Sequence, residues 1–385
     1  MKILYHHRIG SKDGQVVHIE ELVSAFRQLG NDVLLVGPAS FDDRAFGYEP
    51  RFLQALKRAI PSFAYELLEI LYNGLSYRRL SSAVSAFRPD FIYERYNLFQ
   101  IAGIWAKRRW KLPLILEVNA PLARERGTYG GLKLRHLAAR LERYVWRNAD
   151  YVIAVTRVLA DEIVGAGIDP SRVVVIANAI DPEKFDSAPR TDEAKAELGL
   201  CGKIVLGFCG FARDWHGLDA ALEILKKPNI PASTHLLVAG AGPAIETLKE
   251  KAMADGMTDR VTFMGLVERN EVAGVVAAFD IALLPSCVDY CSPLKLFEYM
   301  ALSKATVAPD QANIREILTS GTDALLFPPK DAQCFANAIE RLVGSSESRR
   351  AFGIAARTTL ERGGHSWREN AQRTLALVQP LNREQ

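Results

Sequence analysis

Residues 2–36 read KILYHHRIGSKDGQVVHIEELVSAFRQLGNDVLLV, and this stretch decides the fold class. Short apolar runs at Lys2–Tyr5 and Asp32–Val36 predict two buried strands. Between them, Val16–Leu29 carries apolar residues at helical spacing and is followed by Gly30, a residue type that commonly ends helices. A buried strand, a helix and a second buried strand predict a parallel βαβ unit, because parallel strands need a crossover connection.

The same alternation continues along the chain. Further strands are predicted at Phe91–Tyr93, Leu114–Val118 and Tyr151–Val155. A second series of strands is predicted at Ile204–Phe208, His235–Ala239, Val261–Phe263, Ile281–Leu284, Ala305–Ala308 and Ala324–Phe327. The turn-rich stretch Asn178–Pro189 separates the two series. We therefore predict an α/β fold of two doubly wound parallel-sheet (Rossmann-like) domains, and we expect them to face an interdomain cleft, because such sheets bind ligands outside the carboxyl ends of their strands.

Composition narrows the class of protein. The 385 residues are 49% hydrophobic and 24% charged, as in a globular protein of two or three domains at ~150 residues each. The net charge of +3 is too balanced for a nucleic-acid-binding protein. Five cysteines without a CxxC pair predict neither a disulfide framework nor a metal site, which favours the cytoplasm. Neither a signal peptide nor a transmembrane helix is expected, because no apolar run is long enough.

The first glycine-containing motif is GSKDGQVVH, residues 10–18, directly after the first predicted strand. Its glycines, Gly14 among them, allow a tight turn, and the following helix offers free N–H groups to an anion or a sugar oxygen. The spacing is not GxGxxG, so this motif does not indicate a dinucleotide site. The alternative is a plain turn, which every βαβ unit needs.

The second motif is GFCGFARDWHG, residues 207–217, again directly after a predicted strand. Gly210 supplies backbone freedom, and Arg213 supplies a permanent cation that can bind a diphosphate through two parallel hydrogen bonds. His216 comes just before a predicted helix. The alternative is a solvated arginine and a surface histidine in an ordinary loop.

The third motif is PSCVDYCSPLKLFEYMALSKATVA, residues 285–308. Leu294–Leu302 is predicted as a helix, with Ser292 as its N-cap and Pro293 at its first position. The first amides of this helix would favour a phosphate. Lys295 and Glu298 lie three residues apart and therefore share one helix face. The alternative for this pair is a surface ion pair.

These motifs resemble those of the retaining GT-B glycosyltransferases, specifically the family 4 group. The third motif is similar to that family's donor-site block, WHG at Trp215–Gly217 is similar to its basic–Gly turn, and GAGP at 240–243 also fits. ANAIDPEKF at 177–185 resembles the interdomain stretch, and YERYN at 93–97 and EVNAPLARER at 117–126 resemble the acceptor-side loops. The resemblance covers nearly the whole chain. It implies an acceptor-side domain over 1–182, a nucleotide-sugar donor domain over 186–362, and a C-terminal helix (~364–385) that packs on the first domain.

The resemblance also implies a function and its residues. It implies a hexosyltransferase that retains anomeric configuration, uses a UDP- or GDP-sugar, and needs no metal or other cofactor. Its acceptor would be a sugar or lipid-linked hydroxyl in cell-surface polysaccharide or glycolipid assembly. Glu298 would bind the ribose hydroxyls, while Arg213, Lys295 and the amides after Pro293 would hold the diphosphate. The other implied donor-binding residues are Gly14, Gly210, His216, Ser292, Pro293, Leu294, Leu266 and Val267. The implied acceptor-side residues are Glu94, Arg95, Glu117, Asn119, Glu125 and Arg126.

The sequence departs from the family pattern at four positions. The family's first glutamate is Tyr290 here, its usual arginine position is Phe211 with Arg213 nearby, and its usual lysine is His216. Asn119 stands where many members have a histidine in the acceptor cleft. The proton acceptor for the transfer is left open among Glu117, Glu125 and the donor phosphate.

Two other classes of function compete with glycosyl transfer. One is a GT-B-fold nucleotide-sugar epimerase, and the other is a non-catalytic protein that binds nucleotide sugars. We also predict that Ser366–Leu377 is a helix that returns to the first domain. Arg51–Leu80 mixes basic and apolar residues, which predicts a peripheral contact with the inner face of the membrane, the alternative being an ordinary surface helix.

Overall fold

The structure is a computed structural model that describes residues 1–10, 14–38 and 60–381. The chain forms two compact units. The first comprises Met1–Asn178, Tyr290–Ser292 and Trp367–Gln385, and the second comprises Ala179–Asp289 and Pro293–Ser366. Each unit contains one parallel sheet, which confirms the predicted α/β class. Part of the predicted membrane-contact segment, residues 51–59, lies outside the described residues.

Six parallel strands form the sheet of the first unit. They are β1 (Lys2–His6), β2 (Asp32–Val36), β3 (Phe91–Arg95), β4 (Leu114–Val118), β5 (Tyr151–Ala154) and β6 (Val173–Val175). Their spatial order is β2-β1-β3-β4-β5-β6. The order therefore reverses between β1 and β3, which makes the carboxyl ends of these two strands the topological switch point where such sheets bind ligands.

Helices cover this sheet because each described crossover between its parallel strands is helical. They are α1 (Gly14–Gln28), α2 (Ser62–Phe87), α3 (Ala102–Trp110), α4 (Leu122–Tyr129), α5 (Arg135–Asn148) and α6 (Arg157–Gly165). A 3₁₀ turn at Pro170–Arg172 precedes β6. The helix α1 buries Val16, Ile19, Leu22, Val23 and Phe26, the apolar set whose spacing predicted it.

The second unit repeats the plan. Its strands are β7 (Ile204–Cys209), β8 (Thr234–Ala239), β9 (Val261–Gly265), β10 (Ile281–Leu283), β11 (Ala305–Pro309) and β12 (Leu325–Phe327). Their spatial order is β12-β11-β10-β7-β8-β9, and all pairs are parallel. The switch point of this sheet lies between β7 and β10, so the loops after these two strands are placed to bind a ligand.

Nine helices accompany this sheet in the part of the second unit that the structure describes. They are α7 (Glu183–Asp186), α8 (Thr191–Glu197), α9 (Leu218–Ile224), α10 (Ala244–Ala254), α11 (Val272–Ala277), α12 (Leu294–Ala301), α13 (Ala312–Arg315), α14 (Ala332–Val343) and α15 (Ser346–Arg362). Short 3₁₀ turns occur at Asp214–His216 and Thr258–Arg260. A large cluster of buried apolar side chains, Leu206, Phe208, Leu222 and Leu236 among them, forms part of the core of this unit.

The last helix, α16 (Trp367–Leu381), belongs to the first unit. The Trp367 ring packs edge-on against the His18 ring, with centroids 4.7 Å apart. Asn370 Nδ2 donates to the Ala177 carbonyl over 2.7 Å, and an Arg373 nitrogen donates to the Val175 carbonyl over 2.6 Å. No helix among the described residues is long and apolar enough to cross a membrane.

Candidate functional site

A cluster of buried polar side chains lies on one face of the first sheet, beside its switch point. His6 ends β1 and pairs in register with Glu94 of β3. His6 Nδ1 and Glu94 Oε2 lie 2.5 Å apart, and His6 Nε2 lies 3.0 Å from Ser76 Oγ on α2. All three side chains are buried. Glu94, an expected acceptor-side residue, is therefore enclosed between the sheet and α2.

The Arg95 side chain points to the face of the sheet opposite to that of Glu94, because consecutive side chains alternate along a strand. It pairs in register with Glu117 of β4, and an Arg95 guanidinium nitrogen lies 2.7 Å from Glu117 Oε1. The Tyr93 hydroxyl donates to Glu117 Oε2 over 2.8 Å, and His18 Nε2 on α1 lies 2.9 Å from Oε1. Asn119 Nδ2 also donates to Oε1. The structure thus brings Arg95, Glu117 and Asn119 together and separates them from Glu94.

Glu117 is held as a carboxylate in this cluster. Burial alone would raise its pKa, but the charges of His18 and Arg95 and the hydrogen bonds from His18 and Asn119 hold the pKa well below its usual range. Four side chains donate to its two oxygens. A carboxylate with so low a pKa is a weak general base.

His18 links Glu117 to a second hydrogen-bonded pair. Its Nδ1 lies 2.9 Å from Asn178 Oδ1, while Asn178 Nδ2 donates to the Ser292 carbonyl over 2.7 Å. The Asn178 backbone N–H donates to Ser292 Oγ over 3.1 Å. Because Nδ2 must face a carbonyl, Oδ1 faces the imidazole and accepts from His18 Nδ1.

Glu125 and Arg126 lie on the helix α4 rather than in a loop. The Tyr290 hydroxyl donates to Glu125 Oε2, and the Arg124 guanidinium carbon lies 5.0 Å from the centroid of the Tyr290 ring. Arg126 forms an ion pair with Glu69 on α2 over 2.9 Å. Burial and the bond to Glu125 raise the pKa of Tyr290 far above its usual range, so this hydroxyl stays protonated.

Lys295 places a cation at the switch point of the second sheet. It lies in the first turn of α12, and its Nζ is 3.8 Å from the centroid of the Phe208 ring on β7. Gly210 directly follows β7, and a side-chain carbon placed there would lie 3.2 Å from Lys295 Nζ. The missing side chain of Gly210 therefore leaves the ammonium room beside the loop that follows β7.

Arg213 and His216 occupy that same loop. The Arg213 guanidinium carbon lies 5.2 Å from the Phe211 ring and 4.8 Å from the Trp215 ring. The Arg213 backbone N–H donates to His216 Nδ1 over 3.0 Å. Burial and the charges of Lys295 and Arg213 lower the pKa of His216 to about 3, so its imidazole is neutral.

Glu298 lies one turn after Leu294 on α12, and its burial raises its pKa against the lowering effect of Lys295 and Arg269. Burial and the charge of Glu298 raise the pKa of the Cys209 thiol at the end of β7 to about 12. Glu298 and Lys295 therefore both lie close enough to Cys209 to act on the pKa of its thiol.

The expected roles of Ser292 as the N-cap of α12 and of Pro293 as its first residue were both wrong. The cap position is Pro293, α12 begins at Leu294, and no side chain caps it. Ser292 belongs to the first unit, where its Oγ accepts from the Asn178 backbone instead. The amides of Leu294 and Lys295 remain at the first turn of α12, as expected for an anion-binding helix start.

The remaining positions that were expected on the donor side lie at backbone turns. Leu266 and Val267 follow β9, and the Gly265 carbonyl accepts from the Gly240 N–H over 2.7 Å. Gly240 has a φ of +138°, and a side-chain carbon there would lie 2.0 Å from the Gly210 carbonyl oxygen. Gly242 approaches the Ala212 carbonyl equally closely. These glycines explain the GAGP motif, because only glycine lets the two loops touch backbone to backbone. Gly14 begins α1.

Sequence reasoning missed the residues that support Glu117 and Glu94. These are His6, His18, Tyr93 and Asn178. The signal for His18 was present, because it is the last residue of the first motif. Among the described residues, no group of three or more histidine, cysteine or acidic side chains has the geometry to hold a metal ion.

Comparison with known proteins agrees with this division. Residues 12–184 match the family described as Glycosyltransferase Family 4, and residues 203–345 match Glycosyl transferases group 1. The chain is 24% identical over 277 residues to an alpha-D-kanosaminyltransferase of Streptomyces kanamyceticus, covering 70% of this chain and 67% of that protein. It is 27% identical over 296 residues to a D-inositol 3-phosphate glycosyltransferase of Rhodococcus opacus (strain B4), covering 73% and 65%. The matches span about two thirds or less of these curated relatives' own lengths.

The fold also matches solved structures. The crystal structure of Anabaena Alr3699/HepE in complex with UDP superposes with a TM-score of 0.76, covering 98% of this chain and 100% of that chain at 18% identity. The predicted GT-B architecture, an α/β fold of two units with one parallel sheet each, is therefore confirmed.

Proposed function

Because the chain carries a glycosyltransferase family 4 domain followed by a glycosyl transferases group 1 domain, we propose that it is a retaining glycosyltransferase. It moves a hexose from a nucleotide-diphosphate sugar to a hydroxyl acceptor. The observation that carries this proposal is the donor-side arrangement in the second unit. There Arg213 lies in the loop that follows β7. Lys295 and the first amides of α12 lie after β10, the other strand of the switch point.

The task of these groups is electrostatic. In the transfer, the bond between the anomeric carbon and the donor phosphate breaks while a bond to the acceptor oxygen forms. Negative charge grows on the departing diphosphate, and fixed cations and N–H donors stabilise such charge most in an enclosed site. Lys295 and Arg213 supply the cations, and the amides of Leu294 and Lys295 supply the donors. Glu298 accepts hydrogen bonds from the ribose hydroxyls, and backbone groups at Leu266 and Val267 contact the base.

The donor phosphate itself is the best candidate for the proton acceptor. Glu117 has a strongly lowered pKa and four hydrogen-bond donors, and Glu125 accepts from Tyr290. Neither carboxylate is suited to take a proton from the acceptor hydroxyl. The proton therefore passes to the departing phosphate oxygen. No metal or other cofactor is required in this scheme.

The substrates follow from the relatives by analogy. HepE was crystallised with UDP, which favours a UDP-sugar here, with a GDP-sugar as the second choice. The relatives include a D-inositol 3-phosphate glycosyltransferase and a 2-deoxystreptamine N-acetyl-D-glucosaminyltransferase by name, so the acceptor is a sugar or related polyol hydroxyl. A lipid-linked sugar in cell-surface polysaccharide or glycolipid assembly fits the same chemistry.

Nucleotide release tests the proposal. The protein is incubated with UDP-, GDP-, ADP- and dTDP-sugars, with and without EDTA, and both free nucleotide and sugar stereochemistry are measured. We expect free nucleotide to be released from the sugars of one nucleotide class, and we expect EDTA to leave this release unchanged. The Lys295→Ala variant should lose the release. Lys249→Ala, at an exposed lysine paired with Glu246, is the matched control. An epimerised sugar without steady release indicates an epimerase, and binding without turnover indicates a binding protein. Either result contradicts the proposal.

A specific observation favours a membrane contact for a cytoplasmic protein of this kind. The helix α2 exposes an apolar row, namely Phe63, Leu67, Leu68, Leu71 and Leu75. Trp105 on α3 continues this surface, since its ring lies 5.9 Å from that of Tyr77 on α2. The last turn of α3 is basic, with Lys107, Arg108 and Arg109. Exposed apolar and aromatic side chains beside lysine and arginine match the interface of an anionic bilayer.

Flotation with liposomes tests the membrane contact. We expect recovery with anionic vesicles and little with neutral ones, and Leu71→Asp should reduce the recovery. Ile354→Asp is the matched control, because Ile354 is equally apolar and exposed but lies in the second unit. Equal recovery with both vesicle types, or an equal effect of both substitutions, contradicts this assignment.

A further inference from the structure

The second unit contains a cavity that the proposed sugar transfer does not use. Its volume is about 370 Å³, and Lys304, Thr191 and Ala277 form its inner wall. Lys304 comes just before β11, and Ala277 ends α11, which precedes β10. The strands are parallel, so this cavity lies at the amino-terminal edge of the sheet. The donor-side loops follow the opposite, carboxyl-terminal edge.

Lys304 is the central group of this cavity. Only 6% of the residue is exposed. Its ammonium donates to the Ala277 carbonyl over 2.6 Å and to Thr191 Oγ1 over 3.0 Å. An ammonium has three N–H donors, so one has no hydrogen-bond acceptor among the described residues. Burial and the charge of Lys195 lower the pKa of Lys304 to about 8, against the raising effect of Asp280.

The surrounding polar groups also act as donors. Thr191 Oγ1 accepts from Lys304, so the hydroxyl proton of Thr191 points away from the ammonium. The exposed residue Arg190 lines the cavity beside Thr191. The apolar parts of the lining include Phe185 and Leu302. The cavity therefore presents donors and cations on one side and hydrocarbon on the other.

The carboxylate that acts on Lys304 is already paired with other groups. Asp280 is the acid that acts on Lys304, but its Oδ2 already forms an ion pair with Lys195 over 2.6 Å and accepts from the Val205 N–H. Asp192 lines the cavity as an exposed side chain. Lys195 and Arg190 are the other cations near this cavity, and Glu193 Oε2 accepts from the Arg190 backbone N–H over 2.9 Å.

We propose that this cavity is a second anion site, which binds a small phosphate or sulfate ester through Lys304, Thr191 and Arg190. The ester oxygens take the unused N–H of Lys304 and the hydroxyl proton of Thr191, and Arg190 closes the outer side. The carbon body of the ester packs on Phe185 and Leu302. An ester of this class is distinct in place from the nucleotide diphosphate at Lys295.

Calorimetric titration with sulfate and with phenyl sulfate tests the proposal. Both probes keep a constant charge between pH 6 and pH 10, so a change of affinity with pH reports on the protein. We expect phenyl sulfate to bind more tightly than sulfate, because its ring packs on the apolar wall. Lys304→Met should lower the affinity by about tenfold or more, as expected for losing a charged hydrogen bond. Lys295→Ala and Lys249→Ala should leave it unchanged.

In the wild-type protein the affinity measured by the same titration should fall above pH 8, as Lys304 loses its proton. If Lys304→Met does not fold, Thr191→Val and Arg190→Gln should each lower the affinity several-fold. Unchanged affinity in the folded Lys304 or Thr191 variants overturns the proposal. Loss of binding in Lys295→Ala alone also overturns it, because the probe then occupies the donor side.

Discussion

Asn178 holds Ser292 through two hydrogen bonds. Its backbone N–H donates to Ser292 Oγ over 3.1 Å, and its side-chain Nδ2 donates to the Ser292 carbonyl over 2.7 Å. The third polar group, Oδ1, faces His18. Both residues are buried in the first unit, so these bonds have no water to replace them if they are lost.

Asn178→Asp should destabilise the first unit although it preserves shape. The new carboxylate still accepts from His18, but it cannot donate to the Ser292 carbonyl. We expect a loss of about 1–3 kcal/mol in the free energy of unfolding, measured by urea denaturation. Ser292→Ala, which removes only the Oγ acceptor, should cost about 1 kcal/mol. Equal stability of Asn178→Asp and wild type would contradict the orientation of this amide.

Glu117→Gln should be more damaging, because it leaves the buried cation of Arg95 without its partner. Removing one member of a buried ion pair costs about 3–5 kcal/mol, and urea denaturation at pH 7 measures it. Glu117→Asp, which keeps the charge, is the control and should cost less.

The pH dependence of stability provides a separate check on Glu117. Its folded pKa lies below the ordinary 4.5, so its stabilising contribution is complete above pH 4.5 and is lost as the pH falls below that value. Wild-type protein should therefore lose stability between pH 4.5 and pH 3 more steeply than Glu117→Gln. Parallel curves for the two proteins would show that this carboxyl group is not the one that titrates.

We expect Tyr290 to stabilise the fold through its hydrogen bond to Glu125 and not to replace the family's first glutamate in donor binding. Tyr290→Phe removes the bond to Glu125 and should cost about 1 kcal/mol of stability, with little change in kcat. Tyr290→Glu places a second carboxylate beside Glu125, and it should lower the melting temperature without raising the transfer rate. Activation by Tyr290→Glu would show that this position contacts the donor.

Lys295→Ala should lower kcat more than it raises the KM for the donor, because the cation acts where charge grows during the transfer. Steady-state kinetics with the nucleotide sugar identified by the release assay measure both constants. A variant that changes only KM would place Lys295 in ground-state binding.

Glu298→Gln should weaken donor binding by about 1.5–3 kcal/mol, because the ribose hydroxyls lose a charged acceptor. The pKa of Glu298 is raised, so wild-type affinity for an intact nucleotide sugar should increase with pH above 4.5 as the carboxyl group ionises. The glutamine variant should lack this increase. Calorimetric titration at several pH values checks both expectations.

Local sequence patterns were sufficient for most of the fold. The strands Asp32–Val36 and Leu114–Val118 match their predicted bounds. Apolar runs and helical spacing are properties of neighbouring residues, which explains this agreement. The strand Val173–Val175 was not predicted, because it is three residues long and forms only by pairing with β5.

The candidate site was harder to predict, since its details depend on residues far apart in the chain. The bond between Tyr290 and Glu125 joins positions separated by 165 residues, and no local pattern encodes it. Ser292 has the chemistry of an N-cap, but its partner Asn178 lies 114 residues away. The separation of Glu94 from Arg95, by contrast, follows from the alternation of side chains along a strand and was available from the sequence.

The backbone contact of Gly240 and Gly242 with residues 210 and 212 has a consequence for protein engineering. The backbones of these two loops touch with no side chains between them, so the conformation of each loop must fit that of the other. Neither loop can therefore be exchanged alone. Transplanting the loop after β7 from a relative with another donor preference would leave it mismatched against the recipient's GAGP turn. A chimera that folds correctly must therefore take both segments from the same parent protein, so the two loops have to be exchanged as one unit.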